Sequence, residues 1–358
     1  MKIIILTKNL KTALENLSVV IEKKRPTLPI LKMISFKTWE KNITTNGNVA
    51  DVSISMLELM ATNIDQALKA SLTCHILEEG EGCIDAAGLL AICKKTKEPI
   101  LEIEIIGEVA TVKAGEVVLK LEAGYFSDFP ILSGDLPELG KLAGLVDALN
   151  FVKEAIANDK TRFYLNGANL KSVGENLDIV ATDGHLLLKT SVKSDLKLDC
   201  IIPQGTVKTI LKVFEGSLKI GFDKSKIKIC GGDYELISKL IDGEFPEYQR
   251  LIPKGENVLE SQIDAKKLSE AIKQIEPEVK FKAIKFKFGE KLQLESEAGK
   301  ASIDCGGEEF LTAFEAGQFL AVCKTFGNFK MSFKGNYESA VAVIENDLGL
   351  GVIMPCRI

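Results

Sequence analysis

Leu90-Ala91-Ile92-Cys93-Lys94 is echoed twice further along the chain, as Lys208-Thr209-Ile210-Leu211-Lys212 and as Leu320-Ala321-Val322-Cys323-Lys324. With Cys93, Leu211 and Cys323 taken as equivalent, the copies lie 118 and 112 residues apart. That interval is too long for a solenoid repeat and matches a small domain, so the chain reads as three similar domains in tandem. Each apolar run ends in a lysine. A basic position carried on the same helix of every copy points to one repeated surface facing one repeated, anionic partner.

The bulk composition fits this reading. The 358 residues suffice for two or three domains, and 46% hydrophobic with 27% charged residues is ordinary for a globular chain. The opening Met1-Lys2-Ile3-Ile4-Ile5-Leu6 is basic then apolar, but the run stops at Thr7-Lys8, too short for a signal peptide. No other stretch is long enough to span a bilayer, so a cytoplasmic protein without a membrane partner is expected. The eight cysteines include no C-x-x-C pair, and Cys93 and Cys323 fall inside helical apolar patterns. They are expected as buried free thiols rather than as disulfides or metal ligands.

The periodicities predict an α+β fold with two helices per repeat. Leu10, Leu14 and Leu17 recur at helical spacing, as do Leu149, Val152 and Ile156 after Asp147, and Leu268, Ile272 and Ile275 after Asp264. The echoed helices are expected near 85–97, 204–215 and 315–326, starting at Asp85, Pro203 and Glu315. Alternating runs at Val117–Leu121, Leu218–Phe222 and Ile284–Phe288 read as half-buried strands, and Asp183-Gly184 and Gly231-Gly232-Asp233 as hairpin turns. The domains are expected at 1–136, 137–257 and 258–358.

Charge is distributed unevenly. The six expected helices with their C-terminal flanks hold 18 basic and 12 acidic residues, a net of +6 in a chain whose total is −5. If those helices share a face, it is positive on an otherwise acidic body, the layout of a protein that holds a polyanion in one place and repels it elsewhere. The competing reading is that lysine-rich helix faces are simply solvated.

Five motifs then occur in a telling order: Arg25-Pro26-Thr27-Leu28-Pro29-Ile30-Leu31, Tyr164-Leu165-Asn166-Gly167, Ala181-Thr182-Asp183-Gly184-His185, Ser238-Lys239-Leu240-Ile241-Asp242-Gly243-Glu244-Phe245-Pro246-Glu247-Tyr248, and the terminal Val352-Ile353-Met354-Pro355-Cys356-Arg357-Ile358. In identity, order and spacing the whole chain resembles the bacterial sliding clamps, the beta subunits of DNA polymerase III. The resemblance implies three clamp-type domains per chain, with two chains paired head to tail into a ring that has helices lining the hole and sheets outside. Such a ring encircles duplex DNA without sequence preference and tethers the replicative polymerase for processivity. It also implies no catalytic residues, no cofactor and no metal.

The resemblance further implies three sets of site residues. Arg25, Phe163 and Tyr164 match DNA contacts, and the repeat itself adds Lys94, Lys212 and Lys324. Phe163 and Tyr164 are equally readable as core aromatics, and the lysines as solvated side chains. Leu165, Thr182, Gly184, His185, Leu187, Pro246, Arg250, Leu251, Val352, Met354, Pro355 and Arg357 match a pocket in which polymerase, clamp loader and repair proteins dock a short apolar peptide. Leu165, Leu187, Leu251 and Met354 would supply an adaptable apolar surface, and His185, Arg250 and Arg357 would orient polar groups. Leu119 and Leu121 on one side and Ile275 on the other match apolar contacts where an edge strand of the first domain meets one of the third in the homodimer. The chain departs from the family in having Leu186 where an arginine is frequent, and Cys356 and Ile358 where methionine and leucine are.

Enzyme readings find little support. Asp183 with His185, or Cys74 with His75, could be imagined as a catalytic or metal pair, but the chain has only two histidines. It contains no H-E-x-x-H, no phosphate-binding glycine loop and no G-x-S-x-G. A monomeric three-domain scaffold that binds peptides but not DNA remains open at this level, since it would share the pocket and lack the ring.

Overall fold

The computed structural model describes residues 1–22, 28–45, 48–132, 136–253, 257–276, 283–305, 309–334 and 341–356. Its helices are α1 (Thr7–Leu17), α2 (Ala86–Lys95), α3 (Leu145–Val152), α4 (Gln204–Val213), α5 (Ala265–Ile275) and α6 (Ala316–Phe326). Asp85 and Asp264 act as N-caps. The Asp85 carboxylate accepts from the Gly88 N–H at 2.7 Å, and that of Asp264 from the N–H groups of Lys266 and Lys267. Two expectations need correction. Ile156 lies beyond α3, because the chain tightens into a 3-10 turn over Lys153–Ala155 and leaves the helix there. Val117–Gly124 is a strand, yet Val117, Val118, Leu119 and Lys120 are all exposed, so neither of its faces is covered there.

By its contacts the chain divides into two units, Met1–Leu142 with Lys208–Lys239, and Ala143–Val207 with Leu240–Ile358. The stretch 137–257, expected as one domain, contributes to both. In the first unit one antiparallel sheet of thirteen strands is built from residues 2–142 and 218–239. The strand Gln66–Thr73 pairs with Tyr234–Lys239 in the register Gln66↔Ser238 to Ala70↔Tyr234. Buried Gln66 also accepts from the hydroxyl of buried Thr209 at 2.9 Å, so a polar pair inside the unit is satisfied. α1 packs on α2 and on the Gln66–Thr73 strand through Leu10, Ala13, Leu14 and Leu17, a stripe at helical spacing.

The second unit holds an eight-stranded and a four-stranded antiparallel sheet. Ala283–Phe288 alternates as read from the sequence: Ile284, Phe286 and Phe288 point in, and Lys285 and Lys287 point out. Phe286, Phe314 and Phe319 pack ring on ring at centroid distances of 4.6–5.5 Å, and Phe288, Phe310 and Phe333 extend the cluster. α5 and α6 pack together, with Leu268, Ala271, Ile272 and Ile275 buried along one face of α5. The Asp183-Gly184 and Gly232-Asp233 turns close hairpins as expected.

All eight cysteines are free. Burial pushes the thiols of Cys83 and Cys323 up to about 12 and that of Cys93 to about 11, the behaviour of inert core residues. Among the described residues no helix is long and apolar enough to cross a membrane.

The aromatic cluster is the core of its sheet. Phe314→Ala is expected to cost about 3–5 kcal/mol, read as a lowered midpoint in denaturant unfolding.

Candidate functional site

The Thr182–Leu187 turn is locked by its own side chains. The Asp183 carboxylate accepts from the backbone N–H groups of His185 (2.8 Å) and Leu186 (2.7 Å). The Thr182 hydroxyl donates to the Leu186 carbonyl at 2.8 Å and accepts from the Gly184 N–H. Gly184 sits at φ +96°, in the left-handed region, and a Cβ there would lie 2.6 Å from Arg162 Nη1. The left-handed backbone favours glycine, whereas the contact is with the end of a flexible side chain. Asp183 is thus a turn-former whose carboxylate is committed to backbone.

The end of the chain is stitched onto this turn. Gly349–Ile353 adds as a strand to Leu186–Lys193, with Leu187 opposite Val352, and the Met354 N–H donates to the His185 carbonyl at 2.9 Å. Two residues further the Cys356 N–H donates to the Ala313 carbonyl. Val180, Leu187, Val352 and Tyr248 form a buried cluster against which Phe245, Ile252, Val341 and Leu350 pack. The segment around Pro246 is therefore seated on the same sheet.

Tyr248 provides the anchor. Its hydroxyl donates to Asp178 Oδ2 at 2.6 Å, Ser191 donates to Oδ1 at 2.6 Å, and Lys189 Nζ lies 3.0 Å from Oδ2. Burial pushes the Asp178 carboxyl up, but the hydroxyls of Ser191 and Tyr248 and the Lys189 ammonium together outweigh it and hold its pKa below the ordinary value. Burial, followed by the bond to Asp178, pushes the Tyr248 phenol well up, so it remains a donor.

A second anchor shapes the neighbouring loop. Asp159 accepts from the N–H groups of Arg162 and Thr161 and from the Arg162 guanidinium, which hold its pKa at about 2. Asn166 bonds Asp159 in both directions. The resulting Phe163–Leu165 turn lies close to Gly243, where an added Cβ would meet Tyr164 at 3.0 Å, and its Arg162 lies against Gly184.

The sequence-derived pocket residues thus divide by depth. Leu165, Thr182, Leu187 and Val352 are buried. Leu251, Met354, His185 and Arg250 are exposed, and Pro246 and Pro355 are half-buried. Leu251 and Met354, at 49% and 44% exposure, are exposed large apolar side chains. Leu186 is 2% exposed and faces the core. Arg357 and Ile358 lie outside the described residues. Asp159, Arg162, Asp178, Lys189 and Ser191 were not singled out from sequence, although an Asp inside the apolar strand Leu177-Asp178-Ile179 is itself a signal that a buried partner exists.

Of the other expected residues, Arg25 lies outside the described set. Phe163 is 51% exposed and Tyr164 half-buried, which excludes the core-aromatic reading for Phe163. Lys94, Lys212 and Lys324 are exposed on α2, α4 and α6 at equivalent places near the helix ends.

Leu119 is exposed and Leu121 half-buried on the Val117–Gly124 strand. Along residues 117–122 that strand pairs, among the described residues, on one side only, with Val109–Ala114. In the second unit Lys300–Ile303 is likewise an edge strand, paired among the described residues with Leu292–Glu295 alone. Ile275 corrects an expectation. It is the last residue of α5 and 4% exposed, buried because it continues the apolar stripe of that helix, so it is not a surface group on an edge strand.

Among the described residues no three His, Cys, Asp or Glu side chains converge to hold a metal. Burial pushes the Cys74 thiol up to about 11, the opposite of what a nucleophile beside His75 would need.

Two family models match this chain, the DNA polymerase III beta subunit N-terminal domain over residues 1–133 and its central domain over residues 141–247. The beta sliding clamp of Pseudomonas aeruginosa is 26% identical over 363 aligned positions, which cover 94% of each chain. That of Rickettsia bellii is 29% identical and covers 82% of this chain and 78% of its own. The crystal structure of the sliding clamp of Bartonella birtlesii bound to griselimycin superposes with a TM-score of 0.87 at 25% identity, covering 100% of both chains.

The Tyr248–Asp178 bond yields a prediction. Tyr248→Phe leaves the volume intact and removes a donor to a buried carboxylate, at a cost of about 1–2 kcal/mol at neutral pH. Because the Asp178 pKa is lowered in the fold, its contribution is present above the ordinary carboxylate range and is lost as pH falls through the folded value. Tyr248→Phe should therefore flatten the loss of stability on acidification below about pH 4, measured by urea unfolding across pH.

Proposed function

Since this chain belongs to the DNA polymerase III beta subunit family, the sliding clamps, which are processivity factors rather than catalysts, we propose that two copies close head to tail into a ring around duplex DNA. The observation that carries this reading is the Val117–Gly124 strand. A strand with one edge unpaired among the described residues, and with Val117, Val118 and Leu119 exposed on both faces, is a site for pairing with another chain. The edge strand Lys300–Ile303 of a second copy is its counterpart, and repeating that heterologous contact twice closes a two-fold ring. On this reading the three repeats are three clamp domains, at 1–136, 137–257 and 258–358, and Ile275 supports the joint from beneath.

A closed ring cannot leave DNA without opening or reaching an end, so it needs no tight site. Arg25, Lys94, Lys212 and Lys324, together with the Phe163–Tyr164 turn, would touch phosphates and read no sequence. The groove floored by Leu165, Thr182, Leu187 and Val352, and rimmed by Leu251, Met354, His185 and Arg250, would receive the apolar peptide motif of polymerase, clamp loader or repair proteins. Its floor is rigid because the Asp183 turn, the C-terminal strand and Tyr248 are each hydrogen-bonded in place. Its rim is adaptable because Leu251 and Met354 are free to repack.

Two outcomes are expected. Leu119→Glu puts a charge in the pairing edge without touching either core and should shift the sedimenting mass from two chains to one, with an unchanged thermal transition; a mass of two chains would reject this interface. Leu251→Asp with Met354→Asp should weaken binding of a Gln-x-x-Leu-Phe peptide by about tenfold or more while dimer mass is retained, because desolvating a carboxylate against an apolar anchor is unfavourable. Isothermal titration reads the result, and unchanged affinity would place the partner site elsewhere.

A further inference from the structure

Two of the three repeat lysines are already occupied. Lys94 on α2 lies 3.5 Å from Glu15 on α1, and Lys324 on α6 lies 2.5 Å from Glu154, in the 3-10 turn that follows α3. In both pairs the lysine comes from the echoed helix and the glutamate from the end of a repeat's first helix or the turn directly after it. Among the described residues Lys212 has no such carboxylate partner. Glu154 also borders a cleft of about 460 Å³ that contains Lys153 and Lys324, while Lys153 is turned onto the Asn150 side-chain oxygen at 2.6 Å.

These pairs are poorly suited to holding the fold together. Lys94, Glu15 and Lys324 are 52%, 41% and 65% exposed along their side chains and Glu154 26%, and ion pairs with at least one partner so open to water contribute little to stability and are screened by salt. What they do change is the local field, because each carboxylate cancels the charge of a lysine otherwise available to phosphate.

We propose that Glu15 and Glu154 are exchangeable counter-charges that compete with DNA phosphate for Lys94 and Lys324, so that the protein's hold on duplex stays weak enough to slide. A phosphate approaching Lys94 displaces Glu15 rather than water, and the carboxylate re-forms its pair when the phosphate moves on. The net contact is weaker and less salt-dependent than a free lysine would make. This inference rests on the ring reading above and names the residues that set its grip.

The test compares Glu15→Gln with Glu154→Gln in one chain against Glu138→Gln. Glu138 is paired with Lys219 between two sheet strands at 3.8 Å, so its removal changes net charge away from the helices. Affinity for a linear duplex is measured by fluorescence anisotropy from low to moderate salt. The helix variant should bind about three- to tenfold more tightly at low salt, with a log–log salt slope steeper by about one to two, whereas Glu138→Gln stays near the parent. No change in the helix variant, or an equal gain in Glu138→Gln, overturns the proposal. Retention of the parent on nicked circular DNA is scored in parallel and reports on the ring reading alone, because the anisotropy comparison does not depend on closure.

Discussion

A strand that pairs with Glu81–Asp85 at Ala123 and Gly124 but, among the described residues, on one side only along residues 117–122 is the constraint on which the proposed assembly depends. Along that stretch Val117, Val118 and Leu119 are exposed. Natural sheets usually protect such an edge with charge, proline or a covering element. Here Lys120 and Glu122 alternate with the apolar Val118, Leu119 and Leu121, which leaves the edge less protected than a fully charged one and fits the proposed pairing. Everything inward of that strand is conventional: antiparallel ladders, helices that bury one stripe, and cores of aliphatic and aromatic side chains. The proposed assembly uses the edge and leaves the cores alone.

The two other proposed surfaces differ in physical character. The proposed peptide groove would rest on hydrogen-bonded backbone. Buried Asp178 takes hydrogen bonds from Tyr248 and Ser191 and an ion pair from Lys189, and the chain's last strand is bonded to the Thr182–Leu187 turn, so the exposed rim rests on fixed backbone. The basic helix positions are loose. They stand in water and two are neutralised by neighbouring glutamates, as expected of contacts that must form and break repeatedly. Specific recognition and non-specific tracking thus call for opposite degrees of order in one chain.

Much of this was legible in the sequence because the repeat places equivalent helices at equivalent spacings. Asp85 and Asp264 announced helix starts by their capping chemistry, and the alternation over Ala283–Phe288 was met residue by residue. Three features were hidden for identifiable reasons. The exit from α3 before Ile156 is a tightening of the last turn that leaves apolar spacing intact, so periodicity alone cannot mark it. The strand at Val117 alternates like a half-buried one, but whether a face is covered depends on distant elements that local pattern does not contain. Asp178 and Tyr248 lie 70 residues apart and meet only through tertiary packing, and the ion partners of Lys94 and Lys324 are equally non-local. Ile275 shows the converse: its helical spacing correctly foretold burial, and the expectation of a surface contact came from resemblance rather than from its pattern.

The central claim is topological, that the chain holds DNA by enclosing it. The most direct measurement is to load the protein onto a nicked circular duplex, isolate the complex, and cut the circle once. Enclosure predicts stable retention on the circle at a salt concentration that abolishes binding to a linear fragment, followed by rapid loss once an end is created. Equal retention before and after linearisation would show that affinity for a site, and not closure around the duplex, holds the protein to DNA.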